Sequence, residues 1–110
     1  MVKRMYRVNI TEKADSQMRE LALYIAEESG SNEVALKYIG KMEKSIEQLI
    51  VFPEAGSVPR NQTIKKQGYR VLVVEKHLVF YKFNKAEGEV TIYAVVDYRR
   101  EYQFIMLPAG

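Results

Sequence analysis

Cysteine is absent from this 110-residue chain, histidine occurs once, and no stretch approaches the roughly 18 to 20 apolar residues of a membrane span. The first absence excludes disulfides, thiolate metal sites and a thiol nucleophile. A single histidine supplies no His-rich cluster, so neither a metal nor a small-molecule cofactor is expected. The lack of a long apolar run predicts a soluble, cytoplasmic protein with no membrane partner. Repeats and low-complexity tracts are missing too, and the length suits one domain spanning residues 1–110.

What is present divides into two halves. Residues 1–59 carry 8 basic and 9 acidic side chains, whereas residues 60–110 carry 9 basic and 5 acidic. The net +3 is therefore concentrated in the second half. A basic surface there fits a phosphate backbone, an acidic protein partner or ordinary solubilising charge.

Along the chain, Arg4 to Ile10 alternates apolar and polar residues, the period of an edge strand with one solvated face. Thr11 offers a hydroxyl as N-cap. Ala14, Met18, Leu21, Ala22, Ile25 and Ala26 then recur at steps of three and four, which predicts a helix from about 12 to 28, stopped by Gly30. Ser31-Asn32 caps a second helix, whose stripe of Val34, Ala35, Tyr38, Ile39, Met42, Ile46, Leu49 and Ile50 runs until Pro53 forbids continuation. Two amphipathic helices with a short link predict an antiparallel hairpin. Phe52 to Gly56 reads as a turn whose Phe plugs the helix ends, and Ser57 to Gln67 as a polar, basic, mobile loop.

Val71–Val74, His77–Phe83 and Val90–Val96 are rich in β-branched and aromatic residues, and Glu75-Lys76 and a Gly-containing loop separate them. They predict a three-stranded antiparallel meander whose continuous apolar runs are covered on both faces. The expected fold is thus α+β: an N-terminal edge strand, an antiparallel two-helix hairpin across one face of an antiparallel sheet, the meander, and a short C-terminal helix at Gln103–Leu107. If Glu75-Lys76 is a two-residue turn, Arg70 falls opposite Tyr81 and Val74 opposite His77, on one face.

The residues Leu21 to Ala26, Ile46 to Leu49 leading into Phe52-Pro53-Glu54-Ala55-Gly56, Tyr69-Arg70-Val71-Leu72, His77 to Tyr81, and Val96 to Tyr102 stand in an order that resembles the RelE/ParE superfamily of bacterial type II toxins. The resemblance covers nearly the whole chain. It implies a growth-arresting toxin neutralised by a cognate antitoxin, and plasmid stabilisation as a setting. It also implies one of two targets. ParE-like members inhibit DNA gyrase and are not enzymes in doing so. RelE-like members enter the ribosome and cut mRNA without metal, using basic and phenolic or imidazole side chains. Arg70 and Arg99 match basic positions of the nucleases, but Leu72 stands where a second would be. Leu78 or Val79 replaces the middle-strand Arg, and Ile105 sits near the place of a tail Tyr. These departures lean the reading toward ParE. A third reading is an inactive module that only binds antitoxin.

Cutting RNA requires a base, an acid and cations for the phosphate. The catalytic candidates under the nuclease reading are Arg70, His77, Tyr81, Arg99 and Tyr102. The candidates for target or antitoxin binding are Arg70, Arg99, Arg100 and Tyr102. Each has a plainer alternative: His77 as a strand-end structural residue, Tyr81 as core, Arg99-Arg100 as a solvated helix start with Asp97 as its cap. Arg70 inside an apolar strand is costly unless exposed on the open face or paired, with Glu101 as the expected partner and the helices on the opposite face.

Overall fold

A computed structural model describes residues 4–99. The expectations for Arg100, Glu101, Tyr102 and the C-terminal helix lie outside the described residues.

The first strand, β1, is Arg7–Ile10. Thr11 follows in extended conformation and its hydroxyl accepts from the Ala14 N–H at 3.2 Å, which opens α1, Glu12–Ser29. Gly30, at φ 67, closes it in the left-handed region that glycine adopts without steric penalty. The Ser31 hydroxyl accepts from Val34 N–H at 3.2 Å and starts α2, Asn32–Glu47, which tightens into a 3-10 turn at Gln48–Ile50 ahead of Pro53. The helical hairpin is therefore built from the caps and stripes visible in the sequence.

Three strands follow: β2 at Arg70–Val74, β3 at His77–Asn84 and β4 at Glu89–Asp97. Glu75 takes φ 53 in the two-residue turn and sets the register Arg70↔Tyr81 and Val74↔His77. A bulge between Phe80 and Tyr81 shifts the pairing with β4, so that Tyr81 faces Ile92. The sheet order is β1-β4-β3-β2, which leaves β1 at an edge as its alternation predicts. β1 nevertheless runs parallel to β4, from Arg7↔Glu89 to Ile10↔Ile92. The sheet is mixed, which corrects the all-antiparallel expectation. Alternation identifies a strand but carries no direction. The chain leaves β1 through two helices and returns by the meander, a crossover long enough for a parallel pair.

Both faces of the meander are covered. On one, Leu72, Val74, Val79, Tyr81, Val90, Ile92 and Val95 pack against Met18, Met42, Ile46 and Leu49 of the helical layer. Burying side chains of this size contributes roughly 1.5 to 3 kcal/mol each, so this layer holds the domain together. Leu49, fully buried, plugs the helix end; Phe52, expected in that role, is 53% exposed. On the second face, Ile64 and Tyr69 cover Val71, Phe80, Ala94 and Val96. Ile64 belongs to a short helix, α3, Gln62–Lys66, inside the segment expected to be a mobile loop. The Asn61 side chain caps it by accepting from Ile64 N–H at 3.0 Å, and Ser57 exchanges backbone hydrogen bonds of 2.8 and 2.9 Å with Val71. Among the described residues no helix is long and apolar enough to cross a membrane.

Candidate functional site

Arg70, Leu72 and Val74 share one face by strand alternation, and Leu72 and Val74 pack into the helical layer. Arg70 therefore lies on the helix-covered face, not the one away from the helices. Its guanidinium Nη2 donates to the carbonyls of Gly56 at 2.7 Å and Glu54 at 3.0 Å. The Nε–H is buried with no hydrogen-bond partner among the described residues, part of the cost of placing this cation inside a sheet. Tyr81, fully buried directly opposite, donates its hydroxyl proton to the Pro53 carbonyl at 2.7 Å and accepts from Gly56 N–H at 2.9 Å. Arg70 and Tyr81 together clamp the turn that follows α2. A Cβ on Gly56 would stand 2.7 Å from both the Tyr81 hydroxyl and the Val71 carbonyl, so only glycine lets this turn close onto the sheet.

His77 opens β3, four residues before Tyr81. Its Nδ1 is 2.7 Å from the Tyr38 hydroxyl on α2, and that hydroxyl accepts from Lys76 N–H at 3.2 Å. The Val74 carbonyl, 3.4 Å away, is a second acceptor for the phenol, so Tyr38 ties α2 to both ends of the β2–β3 turn. Burial pushes the imidazole pKa below its ordinary value; Asp97, its cross-strand neighbour, partly opposes this, and Arg99 adds to it. Burial likewise raises the Tyr38 phenol. His77 and Asp97 line a cleft of about 310 Å³ whose opposite wall is Gln17, Glu20, Leu21 and Tyr24 of α1. Gln17 accepts from Val95 N–H at 2.7 Å where β1 no longer covers the β4 edge.

Arg99 folds back onto Asp97, its Nη2 and Nε donating at 2.7 and 3.0 Å and its backbone N–H at 2.8 Å. These hydrogen bonds hold the Asp97 carboxyl far below the usual carboxylate range. Asp97 thus accepts from the backbone two residues on and also engages the Arg99 charge; the helix it was expected to cap lies outside the described residues.

The sequence-derived cluster is therefore split. The register places Arg70 level with Tyr81 and Ile92, and Asp97, onto which Arg99 folds back, lies five residues further along β4, about 17 Å at strand rise. The two cations do not converge, and His77 is on the helix-covered side with its Nδ1 occupied. Tyr38, Gln17, Glu20 and Gly56 were not singled out by sequence reasoning. Tyr38 stood in the apolar stripe of α2, and only its hydroxyl hinted at a second role. On the other face Lys82 lies 4.3 Å from the Tyr69 ring centroid and 5.7 Å from that of Tyr93. No group of His, Cys, Asp or Glu able to hold a metal ion occurs among the described residues. Large apolar side chains stand in solvent instead: Leu23, Tyr24 and Leu36 on the hairpin, Val73 on β2 and Tyr98 after β4.

Comparison with known proteins places this arrangement. A chain of the chromosomal ParDE toxin–antitoxin system from P. aeruginosa superposes with a TM-score of 0.69 at 18% identity, over 86% of this chain and 97% of that one. A chain of the toxin–antitoxin complex RelBE2 from Mycobacterium tuberculosis gives 0.57 at 15% identity, over 84% and 91%. Both likenesses show a shared fold. No significant match was found among curated protein sequences. The family model for the ParE toxin of the type II toxin–antitoxin system, parDE, matches residues 8–102. With nearly the whole sequence matched and the strand, helical hairpin and meander in the same order, the chain belongs to the ParE toxin family of type II toxin–antitoxin systems.

Proposed function

We propose that this toxin arrests growth by binding DNA gyrase, and that it is held inactive by a cognate antitoxin in the cytoplasm. The observation that carries the target is the clamp. A nuclease on this scaffold needs cations and a phenol free to meet one phosphate, and losing one preorganised donor typically costs about 10²- to 10³-fold in rate. Here Arg70 and Tyr81 direct their hydrogen bonds to the Pro53–Gly56 backbone, and Arg99 is taken up by Asp97 about 17 Å away along the sheet. A gyrase inhibitor needs only a protein-binding surface, and the exposed Tyr24, Tyr98 and Leu23 suit one. The antitoxin reading is supported by the neighbours above, both of which are toxin–antitoxin assemblies.

Induction in cells tests the target. Filamentation and a DNA-damage response with translation continuing, together with inhibition of supercoiling by purified gyrase, is the expected result. New mRNA 5′ ends within translated codons, lost in Arg70→Ala or His77→Ala, would replace the gyrase reading with ribosome-dependent cleavage. Undisturbed growth would leave a module that only sequesters antitoxin.

A further inference from the structure

We propose that the part of the second sheet face left open by α3 binds the phosphate backbone of duplex DNA, with Lys82 at its centre. The Lys82 amine stands between two rings, 4.3 Å from the Tyr69 centroid and 5.7 Å from that of Tyr93. Burial there pushes its pKa below the ordinary lysine value. Among the described residues it has no acidic partner. A partly desolvated cation held against rings without a counter-charge is incomplete, and an anion seated over it supplies the missing interaction.

The surroundings extend the same charge. From Ala55 to Val74 the chain carries no acidic residue. Arg60, Lys65 and Lys66, exposed on and beside α3, have no acidic partner among the described residues either. Because α3 packs onto this face through Ile64, its lysines border the open part. Across the sheet, Asn9 on β1, Thr91 on β4 and Lys82 on β3 are register partners and form a row of donors about 5 Å apart. Asn, Thr and Lys side chains are groups that hold phosphate oxygens on a duplex. Glu89, one row along, is neutralised by Arg7 at 2.7 Å, and Glu87 lies out in the β3–β4 turn with Lys85. The aromatic geometry selects backbone over unstacked bases. Tyr69 is 2% exposed and meets Tyr93 edge-on at 5.4 Å, so its ring braces Lys82 and offers no open face on which a base of a single strand could stack. The proposal goes beyond the gyrase reading, which needs no contact with DNA, and stands on this face alone.

Fluorescence anisotropy of a labelled mixed-sequence duplex, titrated with the purified full chain at several salt concentrations, tests this. Affinity should fall roughly hundredfold between about 50 and 200 mM salt, the dependence that about four phosphate contacts give. Lys82→Gln, and Lys65→Gln together with Lys66→Gln, should each weaken binding about fivefold or more and lower the salt slope by about 1 per lysine. Lys37→Gln, on the exposed side of α2, should leave both unchanged. The double change removes only exposed side chains of α3, so its effect is read in a folded protein even if Lys82→Gln loosens the ring contacts. The Lys82 amine, followed by NMR, should titrate at higher pH with DNA bound. No binding at about 50 mM salt, or a salt slope indifferent to these lysines, would overturn the proposal. Single-stranded RNA bound about tenfold more tightly than the duplex would overturn it too, by assigning the face to RNA. The assay contains no gyrase, so its failure leaves the gyrase reading standing, and a failure to inhibit supercoiling leaves this proposal standing.

Discussion

Tyr81→Phe separates the structural and catalytic accounts of this molecule. The substitution keeps the ring and removes one oxygen from a fully buried position, leaving the Pro53 carbonyl and the Gly56 N–H, 2.7 and 2.9 Å away, without their partner. Each unsatisfied backbone group costs about 1 to 3 kcal/mol, and partial relaxation of the turn brings the total to about 2 to 4 kcal/mol. For a domain of this size that lowers the thermal midpoint by about 8 to 16 °C. Urea unfolding should show the same loss as a lower midpoint at unchanged slope. Arg70 holds the same turn through Gly56 and Glu54, so Arg70→Ala and Tyr81→Phe should be non-additive, the second change costing less once the first has freed the turn. Where the variant remains folded, the gyrase inhibition proposed above should persist. A Tyr81→Phe protein of wild-type stability that had lost its activity would refute the clamp and return the phenol to catalysis.

Further expectations concern the core and the His77 cleft. Ile46→Ala, at a nearly fully buried site, should cost about 2 to 5 kcal/mol in chemical denaturation, and Leu21→Ala, only partly buried, clearly less. Gly56→Ala should destabilise by forcing the turn off the Tyr81 hydroxyl and the Val71 carbonyl; an unchanged thermal midpoint would contradict the close approach. Because burial depresses the folded-state pKa of His77, the unfolded chain binds the extra proton first. Its contribution is complete above the unfolded value near 6.5 and is lost as pH falls below it toward the folded pKa. Stability measured from pH 7 to 5.5 should decline, and less steeply in His77→Gln. Tyr38→Phe frees Nδ1, and NMR titration should show its imidazole pKa moved.

Local chemistry explains which parts of the fold were legible. Thr11 and Ser31 each stand three residues ahead of the first member of an apolar stripe, and Glu75-Lys76 leaves room for only a two-residue turn, so caps and register followed from the sequence. The direction of β1 did not, because its pairing partner lies beyond both helices and alternation is the same in either direction. α3 was hidden by its polar composition, with Ile64 its single apolar residue. The position of Arg70 needed a choice of face, and strands apolar at every position supply no contrast from which to make it. The clamp was half visible: Arg70 opposite Tyr81 was readable, while their backbone acceptors, carbonyls of a turn, have no side-chain signature.

The parallel pairing of β1 with β4 has a consequence for biosynthesis. Arg7 and its partner Glu89 are 82 residues apart in the chain, the longest loop any part of this sheet must close. Synthesis at about 5 to 20 residues per second leaves the N-terminal strand without its neighbour for roughly 4 to 16 s after it is made. The helical hairpin and the β2–β3 turn are complete before that interval ends, so the order of assembly is imposed by translation itself. A nascent chain released before Glu89–Asp97 is made cannot close its sheet, because β4 is the strand that pairs with both β1 and β3. Growth arrest by this toxin is therefore conditional on the ribosome reaching the last strand.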